Sequence, residues 1–351
     1  MLKKLKVKLT SFSHGAGCGC KISPQLLEEI IGKNNSKKLF KELIVGNSTK
    51  DDAAVYDLKN GTALISTTDF FTPIVDDPFL FGQIASANAI SDVYAMGGKP
   101  IFALAILGWP ISKLPVEVAA KVIEGAKNIC EKINIPLAGG HTIDTIEPIF
   151  GLAVNGICDL KNIKKNSTAN IGDQIYLTKK IGVGILSTAE KKGIISEKDK
   201  LLAHRSMLKL NSFGETLGNL DFITSMTDVT GFGLAGHLIE ICEGSKKSAI
   251  IYENKIPLIC DLNKYIKQNS IPGGSNRNWQ SYGNKISPIS QMCQTIISDP
   301  QTNGGLLFTI KKEKETEFLK FVKSSNSIKQ LITLCKIGEI IELQEKSIIV
   351  K

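Results

Sequence analysis

Arginine is nearly missing from this chain of 351 residues, although 43 lysines and arginines against 34 acidic residues leave a formal charge of +9. The lysines are spread among asparagine and isoleucine with no arginine-rich stripe, and aromatic residues make up only 6%. That argues against a nucleic-acid surface, while a diffuse positive field still gathers an anionic substrate such as a nucleotide. Long apolar runs are lacking too. The longest, Ile101 to Ile111, is broken by Gly108, Trp109 and Pro110 and is too short to span a bilayer. The start, MLKKLKVKLTSF, has basic residues but no apolar segment of a secretory signal. No membrane partner and a cytoplasmic location are therefore expected. The Walker A pattern GxxxxGK[ST] is absent, which argues against a P-loop NTPase. Cysteine is sparse, at 18, 20, 130, 158, 242, 260, 293 and 335, and reads as buried free thiols of a reducing compartment. Cys18-x-Cys20 with His14 finds no second cysteine pair, against a zinc site. No fixed-period repeat or low-complexity tract occurs.

What is present begins with His14 to Lys21, HGAGCGCK, which puts two thiols and an ammonium among three glycines. Glycine allows close backbone approach at an entropic cost, and a lysine beside a thiol is expected to lower its pKa and raise the thiolate fraction. Few buried contacts are expected to hold residues 13–21, so the arm is expected to be mobile without ligand. Ser23-Pro24 caps a short helix with Leu26, Leu27, Ile30 and Ile31 on one face. Polar residues 33–50 read as a linker.

Downstream, Asn60-Gly61 between two β-rich runs predicts a hairpin. Asp77-Pro78 opens a long helix closed by Gly97-Gly98, with Asn88 and Asp92 on one face and Ser91 adjacent. A strand from Ile101, a helix over about 115–133, a turn at Ala138 to Thr142 and a strand from Ile149 follow. This is an α+β pattern with mixed pairing. Residues 159–170 mark a boundary, beyond which an α/β domain is expected. The match Gly231 to Gly236 to GxGxxG follows a short polar segment and reads as a decoy for a dinucleotide fold. It could still hold a phosphate or an interface. Pro272-Gly273-Gly274 reads as a glycine-rich loop. The working division is an arm (1–47), a first domain (48–158) and a second (170–345).

Asp52, Asp69, Asp92 and Asp228 sit at element ends among small residues. Singly each reads as a turn or cap aspartate. Together they offer the hard oxygens that Mg²⁺ takes while leaving positions for phosphates.

The ordered set HGAGCGCK, DDAAVY, STTDFF, NAISDVYAMGG, AGGHTID, MTDVTGFG and DPQTNGG resembles the selenophosphate synthetase (selenide, water dikinase) family, of the aminoimidazole ribonucleotide synthetase-like superfamily. The likeness spans about Leu9 to Glu339. It implies a two-domain α+β architecture, a homodimer through the first domains, and conversion of ATP, selenide and water to selenophosphate, AMP and phosphate. It further implies catalytic roles for Cys18 and Lys21, and Mg²⁺, more than one ion, at Asp52, Asp92 and Asp228. ATP contacts are implied for Lys21, Thr49, Lys50, Asp51, Asp69, Asp92, Gly140, His141 and Thr142. K⁺ and a selenium-delivery protein are further candidates. The rival readings are another kinase or synthetase of the superfamily, such as thiamine monophosphate kinase, and a nucleotide-binding redox sensor using Cys18 and Cys20.

Overall fold

The computed structural model describes residues 7–13, 15–22, 24–32, 40–326, 328 and 332–351. His14, Ser23 and the first part of the expected linker lie outside the described residues.

Two six-stranded sheets organise the chain. The first comprises β1 (Leu43–Val45), β2 (Ala54–Asp57), β3 (Thr62–Phe71), β4 (Lys99–Trp109), β5 (Leu137–Asp144) and β6 (Ile149–Asp159), in the order β1-β2-β3-β6-β4-β5. All its pairs are antiparallel except β4 with β5. The second comprises β7 (Gln174–Leu177), β8 (Ile223–Asp228), β9 (Ser248–Ile251), β10 (Leu306–Ile310), β11 (Cys335–Ile341) and β12 (Ile348–Val350), in the order β12-β9-β11-β7-β10-β8. The expected hairpin is there: Lys59 N donates to Asp57 Oδ1 at 2.7 Å, Thr62 N to Asn60 Oδ1 at 3.0 Å, and Gly61 takes φ +87.

Between the sheets runs one helix. Following the short α1 (Pro24–Gly32), α2 (Pro78–Ala95) starts at a proline and is capped by Asp77, whose Oδ1 accepts from Leu80 N at 2.7 Å. Every residue from Phe81 to Ala95 is buried. Its small residues make that possible. α3 (Val116–Lys132) crosses so closely that a Cβ on Gly82 would lie 1.9 Å from Val122 O, and one on Gly125 2.0 Å from Phe79 O. On its other side α2 meets α5 (Glu197–Leu208), α6 (Phe213–Gly218) and β8, with α4 (Val183–Lys191) packed on α5. The helix belongs to both cores, so residues on its inward face reach both halves of the chain.

Several sequence expectations are corrected. Residues 43–45, read as linker, form the edge strand β1, and 47–49 a single 3₁₀ turn. Ala138 to Thr142, read as a turn, lies within β5, an edge strand whose residues are nearly all exposed. The segment before the glycine motif is not a poor strand: β8 is almost wholly buried, because its polar side chains are bonded across the interface. It pairs antiparallel with β10 at the sheet edge, which bears out the decoy reading of a dinucleotide fold. Pro272-Gly273-Gly274 opens a helix, Gly273–Tyr282. All eight cysteines are free thiols, but Cys20, Cys260 and Cys335 are only partly buried.

Candidate active site

The arm is seated against both halves. Leu9 and Cys18 are 0% exposed, contrary to the expectation of few buried contacts. Gly17, at φ +53, donates to Thr72 O at 3.1 Å, and Cys18 N donates to Thr302 Oγ1 at 3.2 Å. The glycine motif closes over it: a Cβ on Gly231 would meet Cys18 O at 2.7 Å and Lys21 Cδ at 3.0 Å. Those glycines receive the arm.

From Cys18 a chain of polar contacts runs inward. Its thiol donates to Asn88 Oδ1 at 3.2 Å, Asn88 Nδ2 donates to Asp69 Oδ2 at 2.5 Å, and Lys21 Nζ lies 3.5 Å from the same oxygen. Asn303 N holds Asn88 from the second half at 2.6 Å. Burial pushes the Cys18 thiol well above its ordinary value and Asp69 pushes it further, against the pull of Lys21. This corrects the expected thiolate: desolvation and the Asp69 carboxylate outweigh the lysine. Burial draws the Lys21 ammonium down, yet Asp69, Cys18, Asp92 and Asp228 together hold it above its ordinary value. Lys21 is a permanent cation.

Beside this chain, carboxylate oxygens of Asp52, Asp92 and Asp228 lie within 4.8 Å of one another. Asp52 follows the edge turn, Asp92 projects from α2 and Asp228 ends β8, so both halves contribute. Thr67 Oγ1 donates to Asp92 at 2.5 Å, Thr227 Oγ1 to Asp52 at 2.8 Å, and Ser91 Oγ to Asp228. Burial and mutual repulsion raise the Asp52 and Asp92 carboxyls well above their usual range; burial raises Asp228, partly offset by Ser91. At such spacing each like-charge pair costs roughly 3–4 kcal/mol at an effective dielectric of about 20. The hydroxyl bonds to these carboxylates, at about 1.5–3 kcal/mol each, do not fully offset three such pairs. A cation does. Asp52 Oδ2 is buried with no hydrogen-bond partner, an open oxygen in a set of hard ligands, which fits a divalent ion such as Mg²⁺.

The remaining expected residues divide. Asp69 joins the arm, as above. Asp51 Oδ1 accepts from Asn166 N at 2.6 Å, with Thr49 donating to Asp51 and Lys50 O accepting from Asn166 Nδ2 at 2.9 Å. This segment therefore ties down the connection to the second half, next door to Asp52. Gly140, His141 and Thr142 are not brought to the site. On β5 they sit three strands from β3, about 14 Å away. The pairing Phe70–Gly151–Ile106–His141 also puts His141 on the sheet face opposite Asp69.

Residues without a role in the sequence reading now have one. Thr302 and Asn303 anchor Cys18 and Asn88, and Thr67, Thr227 and Ser91 orient the carboxylates. Lys179, whose ammonium burial pulls down to about 7, donates to Lys209 O at 2.6 Å and Asn303 O at 2.7 Å.

Comparison with known proteins follows the same division. Residues 50–158 match AIR synthase related protein, N-terminal domain, and 170–351 match AIR synthase related protein, C-terminal domain. A selenide, water dikinase of Photorhabdus laumondii is 51% identical over 346 residues, 99% of this chain and 98% of the relative. One of Sulfurimonas denitrificans is 56% identical over 318 residues, 91% of this chain and 93% of the relative. The chain belongs to the selenide, water dikinase family. Solved structures give the architecture. The thiamine-monophosphate kinase of Stenotrophomonas maltophilia has TM-score 0.63 at 19% identity, covering 93% of this chain and 95% of its own. Hydrogenase maturation protein HypE in complex with ATP has TM-score 0.61 at 16%, covering 98% and 94%. At that identity these neighbours show the fold alone, and family membership rests on the dikinases. Among the described residues no helix is long and apolar enough to cross a membrane.

Proposed function

We propose that this chain is a selenide, water dikinase that converts ATP, selenide and water to selenophosphate, AMP and orthophosphate. The observation that carries the reading is the junction of the two constellations: Asp69 binds the arm through Lys21 and Asn88, while α2 carries both Asn88 and Asp92. A sensor needs no acidic trio, and a kinase for an organic acceptor has no use for the Cys18–Lys21 arm.

Asp52, Asp92 and Asp228 would hold Mg²⁺, more than one ion once ATP adds its own oxygens, and the metal supplies charge neutralisation to the triphosphate. K⁺ is a further candidate. Lys21 adds a fixed positive charge where phosphate oxygens develop charge. Cys18, bonded to Asn88, would carry or orient the selenium nucleophile, which needs no base to activate it. Thr49, Lys50, Asp51, Asp69, Asp92, Gly140, His141 and Thr142 are proposed ATP contacts. That His141 and Asp69 face opposite ways supports a homodimer in which one nucleotide meets residues of both chains. A cytoplasmic enzyme fed by a selenium-delivery protein completes the proposal, with the division at 1–47, 48–158 and 170–345.

Anaerobic incubation with ATP and Mg²⁺, with and without selenide, followed by phosphorus NMR, tests it. AMP, orthophosphate and a selenium-bonded phosphate should appear in equal amounts only with selenide. ADP as end product with a phosphorylated organic acceptor would replace this reading by the kinase one.

A further inference from the structure

On the side of the arm away from the aspartates lies a cavity of about 410 Å³. Cys20, Lys21, Ser187, Lys191 and Arg277 are among its lining residues, and the first turn of the helix from Gly273 borders it. Lys191 Nζ donates to Ser13 O at 3.0 Å and Arg277 Nη2 to Gly19 O at 2.8 Å. Both contacts are with neutral carbonyls, and among the described residues no carboxylate lines the cavity. Lys21 has its counter-charge in Asp69, but Lys191, Arg277 and the positive end of a helix face one space without one. Ser187, only 6% exposed and one helical turn from Lys191 on α4, has a hydroxyl with no hydrogen-bond partner. A buried unpartnered hydroxyl beside Lys191 and Arg277, neither of them paired with a carboxylate, points to a bound anion.

The walls narrow the choice of anion. Ile22, Leu26, Ile74, Ile271 and Pro300 line much of the space. These apolar walls offer no donors to a strongly hydrated phosphate dianion on their side of the cavity. A soft, weakly hydrated monoanion suits apolar walls, a thiol and a few cations better. Lys21 and Thr302 line the cavity and also serve the site on the other side, Lys21 at Asp69 and Thr302 at Cys18. We infer that this cavity is the entry site for the selenium substrate, which it holds as the hydrogen selenide anion behind the arm. The inference rests on the selenophosphate reading and adds where its nucleophile waits.

The test is anaerobic steady-state kinetics on the full chain, varying selenide and ATP separately. Ser187→Leu fills the cavity and Lys191→Glu reverses a charge. Each should raise KM for selenide about tenfold or more while KM for ATP stays within about twofold. Hydrosulfide, added to the unsubstituted enzyme as a probe, should compete with selenide and leave ATP saturation unchanged. An unaltered selenide KM in variants whose circular dichroism melts match the parent would overturn the inference. So would equal rises in both KM values, which would assign the cavity to nucleotide. If neither variant folds, the hydrosulfide arm decides, and absence of competition there overturns the assignment. A parent enzyme making no AMP in response to selenide would sink the underlying reading as well.

Discussion

Asp92 shows how one residue type serves opposite ends depending on what surrounds it. Its carboxyl is raised by burial and by Asp228, and only Thr67 and Lys21 work against that. In the absence of metal the trio is therefore a source of instability, and with metal it is a binding site. Asp92→Asn and Asp228→Asn should each abolish ATP turnover and remove the rise in melting temperature that Mg²⁺ gives the parent protein. Without metal the same variants should melt at or above the parent, because one like charge is gone and the amide still accepts from Thr67 or Ser91. Thermal scans with and without Mg²⁺ measure both effects. An unchanged Mg²⁺ shift in both variants would remove the metal assignment. The three aspartates were legible because element ends and small neighbours are local features. Thr302, Asn303 and Lys179 were not assigned roles, because only the docking of the two halves gives them partners.

At the scale of elements, the glycine turn before α7 (Gly233–Ser245) and the arm are a matched pair. Gly231→Ala forces a Cβ against Cys18 O and Lys21 Cδ, so the arm must shift by about an ångström, enough to cost on the order of 10²-fold in kcat. Mg²⁺ binding should survive it. Packed as it is without nucleotide, the arm should resist protease between about residues 10 and 22. Cys18→Ser should keep that resistance and Lys21→Ala should lose it. Elsewhere, α5 starts at Ser196, whose hydroxyl caps Asp199 N, and Asp199 takes Lys264 Nζ at 2.5 Å and Tyr265 OH at 2.7 Å. Burial works to raise the Asp199 carboxyl, but the bonds from Lys264, Tyr265 and Ser196 win and bring it from 3.8 to about 2. A carboxyl depressed in the folded state stabilises above its unfolded value and loses that contribution as pH falls toward the folded one. Asp199→Asn should therefore melt lower than the parent at neutral pH, and the gap should close between 3.8 and about 2. A gap independent of pH would assign the loss to packing. Capping signals such as Asp77-Pro78 and Asn60-Gly61 act within a few residues and could be read directly. β5 could not, because Gly139 and Gly140 imitate a turn, and β8 could not, because its polar residues are buried by bonds from 60 and more positions away.

For the whole molecule, the decisive feature is a sheet with one covered face. α2 covers the side bearing Asp69, while Tyr56, Phe70, Leu104 and Ile143 remain 45%, 47%, 37% and 58% exposed. Register puts these four and His141 on the same outer face. Contiguous apolar surface of this kind marks an interface, and a two-fold dimer would bury it against itself. If Gly140, His141 and Thr142 contact the ATP held by the aspartates of a second copy, each site draws on two chains. Phe70→Glu should then shift the parent from dimer to monomer in light scattering and lose activity, while the Mg²⁺-induced rise in melting temperature, which depends on one chain, persists. Subunit mixing separates a shared site from a merely adjacent one. Asp228→Asn and His141→Glu should each be nearly inactive alone. Mixed and allowed to exchange, half the dimers are hybrids, and each hybrid contains one site with both residues intact, so about a quarter of parental activity should return. If each site lay within a single chain no combination would restore one, and the mixture would stay as inactive as its parts.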